Sequence, residues 1–173
     1  MKIYVLERTQ HFNCSIEEAW SFFTDPHNLA AITPEDLNFR ILGEWDGLSI
    51  YRGMIINYDV SPLFGIRMRW QTEITQVEYQ RNFIDYQRKG PYRFWEHIHE
   101  FVADEKGIVM KDTVRYALPF GFIGRMVHRW IVRKRLNKVF DYRYAVLDDL
   151  LNYEELDINE LEQDDQTTRK YGK

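Results

Sequence analysis

The chain has 173 residues, 45% hydrophobic and 29% charged, which is ordinary for a globular domain long enough to bury its own core. Its formal net charge of −4 resides in residues 152–173, where seven acids face three bases, so residues 1–151 carry 20 of each sign. That balance excludes nucleic acid as a partner on bulk charge.

Residues 2–12, KIYVLERTQHF, read as a first strand. Glu7, Arg8 and Gln10 break any apolar leader, and no run approaches the roughly 18 apolar residues that span a bilayer, so a soluble cytoplasmic protein is expected. Cys14 is the only cysteine, which rules out an intrachain disulfide and favours a reducing compartment. It reads as a small buried hydrophobe rather than a reactive thiol. Ser15-Ile16-Glu17-Glu18 fits a capping box, and the helix behind it, to about Thr24, aligns Ile16, Ala19, Trp20 and Phe23. Asp25-Pro26 ends that helix. A second short helix is expected over 27–32, stopped before Pro34.

From there to Tyr116 the pattern has period two. Strands are expected at 37–42, 51–60, 66–77 and 83–88, with turns at Gly43 and Gly47, at 61–65, at 80–82 and at 89–91. Met54, Ile56, Tyr58 and Val60 share a face; so do Ile66, Met68, Trp70, Thr72 and Ile74. The direction of Asp85 and Gln87 on the Phe83 strand is left open by the pattern.

The hairpin from Gly90 to Pro119 is the most informative segment. If Ala103 faces Ile108 across Asp104-Glu105-Lys106-Gly107, one face pairs Trp95 with Tyr116, His97 with Val114, His99 with Asp112 and Phe101 with Met110. The other pairs Glu96 with Arg115, Glu100 with Lys111 and Ile98 with Thr113. Opposite charges outside and aromatic or apolar pairs inside are what a half-buried ladder requires, and a one-residue slip would scramble both faces.

After Pro119 the period becomes helical to about Leu151, with Ile123, Met126, Val127, Trp130, Ile131, Leu136, Val139, Phe140, Leu147 and Leu150 apolar. About 30 residues at 1.5 Å each would make a rod of roughly 45 Å, so a bend near Arg133-Lys134-Arg135, or an overhanging first turn, is expected. The expected division is a single domain over 1–151 and a disordered acidic tail over 152–173.

This order of elements resembles the helix-grip fold of the START/Bet v 1-like (SRPBCC) superfamily. The resemblance rests on SIEEAWSFFTDPHNLAAITP, GPYRFWEHIHEF, KDTVRYALPFG and the run ending VFDYRYAVLDDL. These segments look like a bacterial ligand-binding, polyketide cyclase/dehydrase-like or CoxG-like branch, sometimes labelled cell-division-inhibitor-like. The resemblance implies an α+β fold in which a curved antiparallel sheet of six to seven strands, with two short helices after the first, wraps a long C-terminal helix around a hydrophobic cavity. It implies enzymatic activity only in a minority of members.

Inside that cavity the candidates are Trp70, Trp95, His97, His99, Phe101, Asp112, Tyr116 and Trp130 as ligand contacts. His99 with Asp112, aided by Tyr116, is the candidate acid–base pair. The leading reading is a binder of a mostly hydrophobic small molecule or lipid rather than an enzyme. A cyclase, dehydrase or hydrolase using His99–Asp112 is the alternative. A third reading uses Arg125, His128, Arg129, Arg133, Lys134, Arg135 and Lys138, with Phe120 and Phe122, to dock on an anionic membrane or a partner. His97, His99 and Asp112 could chelate a metal, but the spacing has no established signature, so neither metal nor cofactor is expected. Nothing in the pattern sets the oligomeric state.

Overall fold

The computed structural model describes residues 1–43, 49–62, 65–119 and 121–152, apart from the side chains at 123 and 125. In chain order the elements are β1 (Tyr4–Phe12), α1 (Ile16–Phe23), α2 (Asn28–Ala31), a 3-10 turn (Glu35–Leu37), β2 (Arg40–Leu42), β3 (Ile55–Val60), β4 (Met68–Glu78), β5 (Asn82–Lys89), β6 (Phe94–Asp104) and β7 (Gly107–Ala117). A C-terminal helix follows as α3 (Gly121–Val127), a π-helical segment (His128–Val132) and α4 (Arg133–Leu151). The fold is α+β and helix-grip.

One seven-stranded antiparallel sheet runs β1-β7-β6-β5-β4-β3-β2, so β2 to β7 form a meander and β1 closes against β7. The β6–β7 register is the expected one, with His99 opposite Asp112 and Trp95 opposite Tyr116. The turn is tighter than expected: Asp104 pairs with Gly107, leaving Glu105-Lys106 as a two-residue loop whose Lys106 N–H donates to Asp104 Oδ1 at 2.8 Å. Gly107 has φ +140 and passes so close to β1 that a Cβ would collide with the Phe12 carbonyl oxygen. Register shifts at Gln71/Thr72 and Ile74/Gln76 of β4 are bulges, the device that bends a sheet.

Outside, Arg115 donates to Glu96 at 3.0 Å as expected, but Lys111, although opposite Glu100, pairs with Glu7 of β1 at 2.9 Å. The strand expected from Leu37 starts at Arg40, because Leu37 closes the 3-10 turn and Asn38 (φ 47) breaks the extended run. The one expected from Tyr51 starts at Ile55, behind Gly53 (φ 89). Ile66, expected on the wall, precedes β4 and is 62% exposed. Gly47, Leu63, Phe64, Phe120 and the tail from residue 153 onward lie outside the described residues.

The capping box is present, with Ser15 Oγ accepting from Glu18 N–H and Glu18 accepting from Ser15 N–H. It aims Ala19 and Trp20 at the sheet, where Trp20 meets Phe83 and Phe101 edge-on. Two apolar clusters result. Phe12, Trp20, Ile74, Phe83, Phe101, Ile108, Met110 and Leu147 form one; Trp70, Trp95, Val114, Tyr116, Val132, Leu136 and Phe140 form the other. α4 is latched by polar residues of β1: Arg8 donates to Asn137 and Asp141, and Gln10 to the Tyr144 carbonyl. Asn152, assigned to the tail by sequence, instead bonds the end of β1 through Asn13 N–H and the His11 carbonyl.

Candidate functional site

Between the inner face of the sheet and α4 lies a cavity of about 220 Å³. A single water needs only about 10–15 Å³ measured this way, so the space suits an organic molecule. Its walls are apolar: Ile56, Trp70, Ile74 and Phe83 from the sheet, Leu136, Val139 and Phe140 from α4, Leu29 and Ile32 around α2. Polar groups reach it at few points, chiefly Asp85, His97, His99, Arg135 and Arg143.

Period two explains the first of these. Trp95, His97, His99 and Phe101 all point inward from β6; Trp95 joins one apolar cluster, Phe101 the other, and the histidines sit at the seam. Asp85 on β5 lies directly opposite His97, and Asp112 on β7 directly opposite His99. The two carboxylates therefore flank the two rings, whose centroids are 3.8 Å apart.

The contacts cross. His97 Nε2 is 3.1 Å from Asp112 Oδ1 and its Nδ1 is 3.4 Å from Asp85 Oδ2. His99 Nε2 is 3.2 Å from Asp85 Oδ2, and its Nδ1 is 2.8 Å from Asp112 Oδ1. The expected His99–Asp112 pair is thus in ion-pair range but out of line for a hydrogen bond, so His99 Nδ1 is a buried atom without a hydrogen-bond partner among the described residues. The aligned bonds run from His97 to Asp112 and from His99 to Asp85. Arg143 Nη1 stands 3.9 Å behind, at Asp112 Oδ2.

Burial is the largest influence on each of these groups. For His99 it opposes charge, but Asp112 and Asp85 together outweigh it and hold the imidazolium above its ordinary pKa. For His97, burial and then the adjacent His99 charge win over the carboxylates and push the pKa down. Burial works against the Asp112 carboxylate, yet the two imidazoles keep its pKa well below the usual range. One imidazolium between two carboxylates is the consistent arrangement. Burial also drives the phenols of Tyr58 and Tyr92 far up, so at the cavity they act as neutral hydroxyls.

Of the residues singled out by sequence, Trp70, Trp95, His97 and His99 line the cavity. Phe101 is buried beside it against Trp20 and Phe23. Asp112 lies behind the histidines, facing a separate small recess shared with Arg8 and Arg143. Tyr116 turns away to His128, with its hydroxyl 2.9 Å from Nε2, and serves neither histidine of β6. Trp130, expected on the inner stripe, is 64% exposed, because it lies midway between His128 and Val132, the positions that turn inward, and so on the opposite side of the helix. Sequence reasoning missed Arg143 and could not orient Asp85. Arg143 was findable, since it falls on the inward line Leu136, Phe140, Leu147 at helical spacing. The described donors that could hold a metal are Asp85, His97 and His99, with ligand atoms within 4.8 Å of one another.

No family model and no curated protein matches the chain. Solved structures do. A Mycobacterium smegmatis protein described as a START superfamily protein aligns with TM-score 0.63 at 12% identity, over 85% of this chain and 96% of that one. The fold is START-like. A Chromobacterium violaceum protein aligns with TM-score 0.66 at 11% identity, over 87% of this chain and 99% of its own. One from Thermus thermophilus aligns with TM-score 0.61 at 15% identity, over 86% of this chain and 95% of its own. Identities this low speak to the START-like fold alone. Among the described residues no helix is long and apolar enough to cross a membrane.

Proposed function

We propose that this START-like domain binds a small, mostly apolar molecule in the cavity between sheet and α4, with an acceptor oxygen on the ligand meeting the polar end. The observation that carries this is the cavity itself, about 220 Å³ walled by Ile56, Trp70, Ile74, Phe83, Leu136 and Phe140, with Asp85, His97 and His99 reaching it. Apolar walls with a few convergent polar groups are the usual form of such sites. His99, held as an imidazolium at the wall, also supports proton transfer to a bound molecule, which is the enzymatic version of the same reading.

Native mass spectrometry of protein purified from its own host should show a retained apolar ligand, and decanoate should quench the fluorescence of the tryptophans at the cavity. Val139→Trp, which grows into the cavity, should weaken decanoate binding tenfold or more. Decanoate binding unchanged in Val139→Trp, or an empty protein blind to decanoate, would overturn the proposal. Turnover of an identified ligand that survives His99→Gln would remove the enzymatic version.

A second reading rests on a different surface. Phe122, Met126 and Trp130 are 66%, 52% and 64% exposed and recur every four residues, beside exposed Arg129, Arg133 and Lys134. An apolar ridge rimmed with cations fits an anionic lipid surface, which would place ligand exchange at a membrane. Co-sedimentation with phosphatidylserine vesicles, weakened by salt and abolished by Met126→Asp with Trp130→Asp, is the expected result; sedimentation unaffected by both would sink it.

A further inference from the structure

We propose that Asp85, His97 and His99 form a binding site for one divalent first-row transition metal ion at the polar end of the cavity. His97 Nδ1 and His99 Nε2 converge on Asp85 Oδ2 at 3.4 and 3.2 Å. Donors about 2.0–2.1 Å from a tetrahedral ion stand roughly 3.3 Å from each other. Two of the three donor–donor edges of a coordination polyhedron are thus already in place, and all three donor atoms lie within 4.8 Å of one another, on adjacent strands whose register sets Asp85 opposite His97.

What lies behind the rings supports the same reading. A ligating imidazole needs its other nitrogen held by a carboxylate or carbonyl, which fixes the tautomer and aims the free nitrogen. Asp112 holds the other nitrogen of His97 by an aligned hydrogen bond of 3.1 Å to Nε2, and lies 2.8 Å from the other nitrogen of His99, in ion-pair range but out of line. Arg143 in turn approaches the second oxygen of Asp112.

Geometry also sets what the ion would do. Asp85, His97 and His99 face the cavity while Asp112 does not, so the open coordination positions point at the bound molecule. Two imidazoles and one carboxylate with open positions suit iron(II) or zinc. With neutral imidazoles, the ion's two positive charges and that of Arg143 exceed the two carboxylates by one. An anionic oxygen, from hydroxide or from a ligand carboxylate or enolate, would complete the site.

The test uses the whole chain, stripped with chelator and titrated with zinc by calorimetry and with cobalt(II) by visible absorption. One ion per chain is expected, with affinity at least tenfold lower in Asp85→Asn and about tenfold to a hundredfold lower in Asp112→Asn, which keeps all three donors. His11→Gln and His27→Gln should change nothing, since among the described residues each of these histidines meets one carboxylate and no second histidine. Circular dichroism confirms that each variant is folded. X-ray absorption at the zinc edge needs no variant and should show two imidazoles. No binding, affinity unaltered by Asp85→Asn in a folded variant, loss in His11→Gln or His27→Gln, or fewer than two imidazoles at the zinc would overturn the site. Cavity binding of decanoate is read separately, so failure of the metal site and failure of the ligand reading are distinct results.

Discussion

Tyr116 Oη stands 2.9 Å from Nε2 of His128, and this joins the end of β7 to the π-helical segment. The ring of His128 also stacks on Tyr4 at 3.4 Å between centroids. Burial, then the positive charges of Arg133 and Lys2, hold the His128 pKa below its ordinary value. Neutral Nε2 therefore accepts the Tyr116 proton, and burial keeps that phenol protonated by raising its pKa to about 12.

The sign for stability follows. A group with a depressed pKa in the folded state binds its proton more readily when unfolded, so its contribution is full above about pH 6.5 and falls as pH drops toward the folded value. Other groups titrate too, so the readout is a difference. The melting temperature of the wild type relative to His128→Gln should fall between pH 7.5 and pH 5. Parallel curves would refute the assignment.

Trp70→Phe removes a buried N–H that has no partner, so stability should change by less than about 1.5 kcal/mol. Decanoate affinity should stay within about twofold, since Nε1 has no accessible surface through which a ligand could accept its proton. Urea unfolding and fluorescence titration read the two quantities; a large loss of either would contradict this.

Asp112→Asn leaves buried His99 and Arg143 without their common counter-charge. Removing one member of a buried ionic set costs about 3–5 kcal/mol, and metal-free protein in urea should show a loss of that order. A loss under about 1 kcal/mol would mean the cluster is wetter than its burial indicates.

Gly107→Ala meets two obstacles, a backbone at φ +140 and the Phe12 carbonyl at the site of the new Cβ. The cost, read by urea unfolding, should exceed about 1 kcal/mol, because β7 must move off β1 to relieve it. The same substitution at Gly43, where open space surrounds the site, meets only the backbone obstacle and should cost less.

Where the sequence could be read, two independent constraints agreed. The β6–β7 register was legible because charge pairs specified one face and aromatic pairs the other, so His97, His99 and Asp112 followed. Asp85 was not legible, since the short alternation of β5 carries polar residues on both faces and its pairing with β6 is set across the Lys89–Pro91 turn. Tyr116 and Trp130 were misplaced for a shared reason. Periodicity alone assigns an apolar residue to the cavity, whereas His128 captures the first, and the second belongs to an exposed ridge with Phe122 and Met126, opposite the buried His128 and Val132.

The pitch of the π-helical segment is a matter of residue count. The Arg133 N–H donates to the His128 carbonyl, five residues back, so the turn holds one residue more than a regular α-turn. His128, Val132, Leu136 and Phe140 can then follow one another at intervals of four on the buried side, without the drift that 3.6 residues per turn would impose throughout. The helix is in effect carrying a one-residue insertion, and the exposed Trp130 lies within it. A chain shortened by one residue between Arg129 and Ile131 should still fold, with α3 and α4 fused into an uninterrupted rod. The same shortening inside α4 would rotate Phe140 and Arg143 off the cavity together.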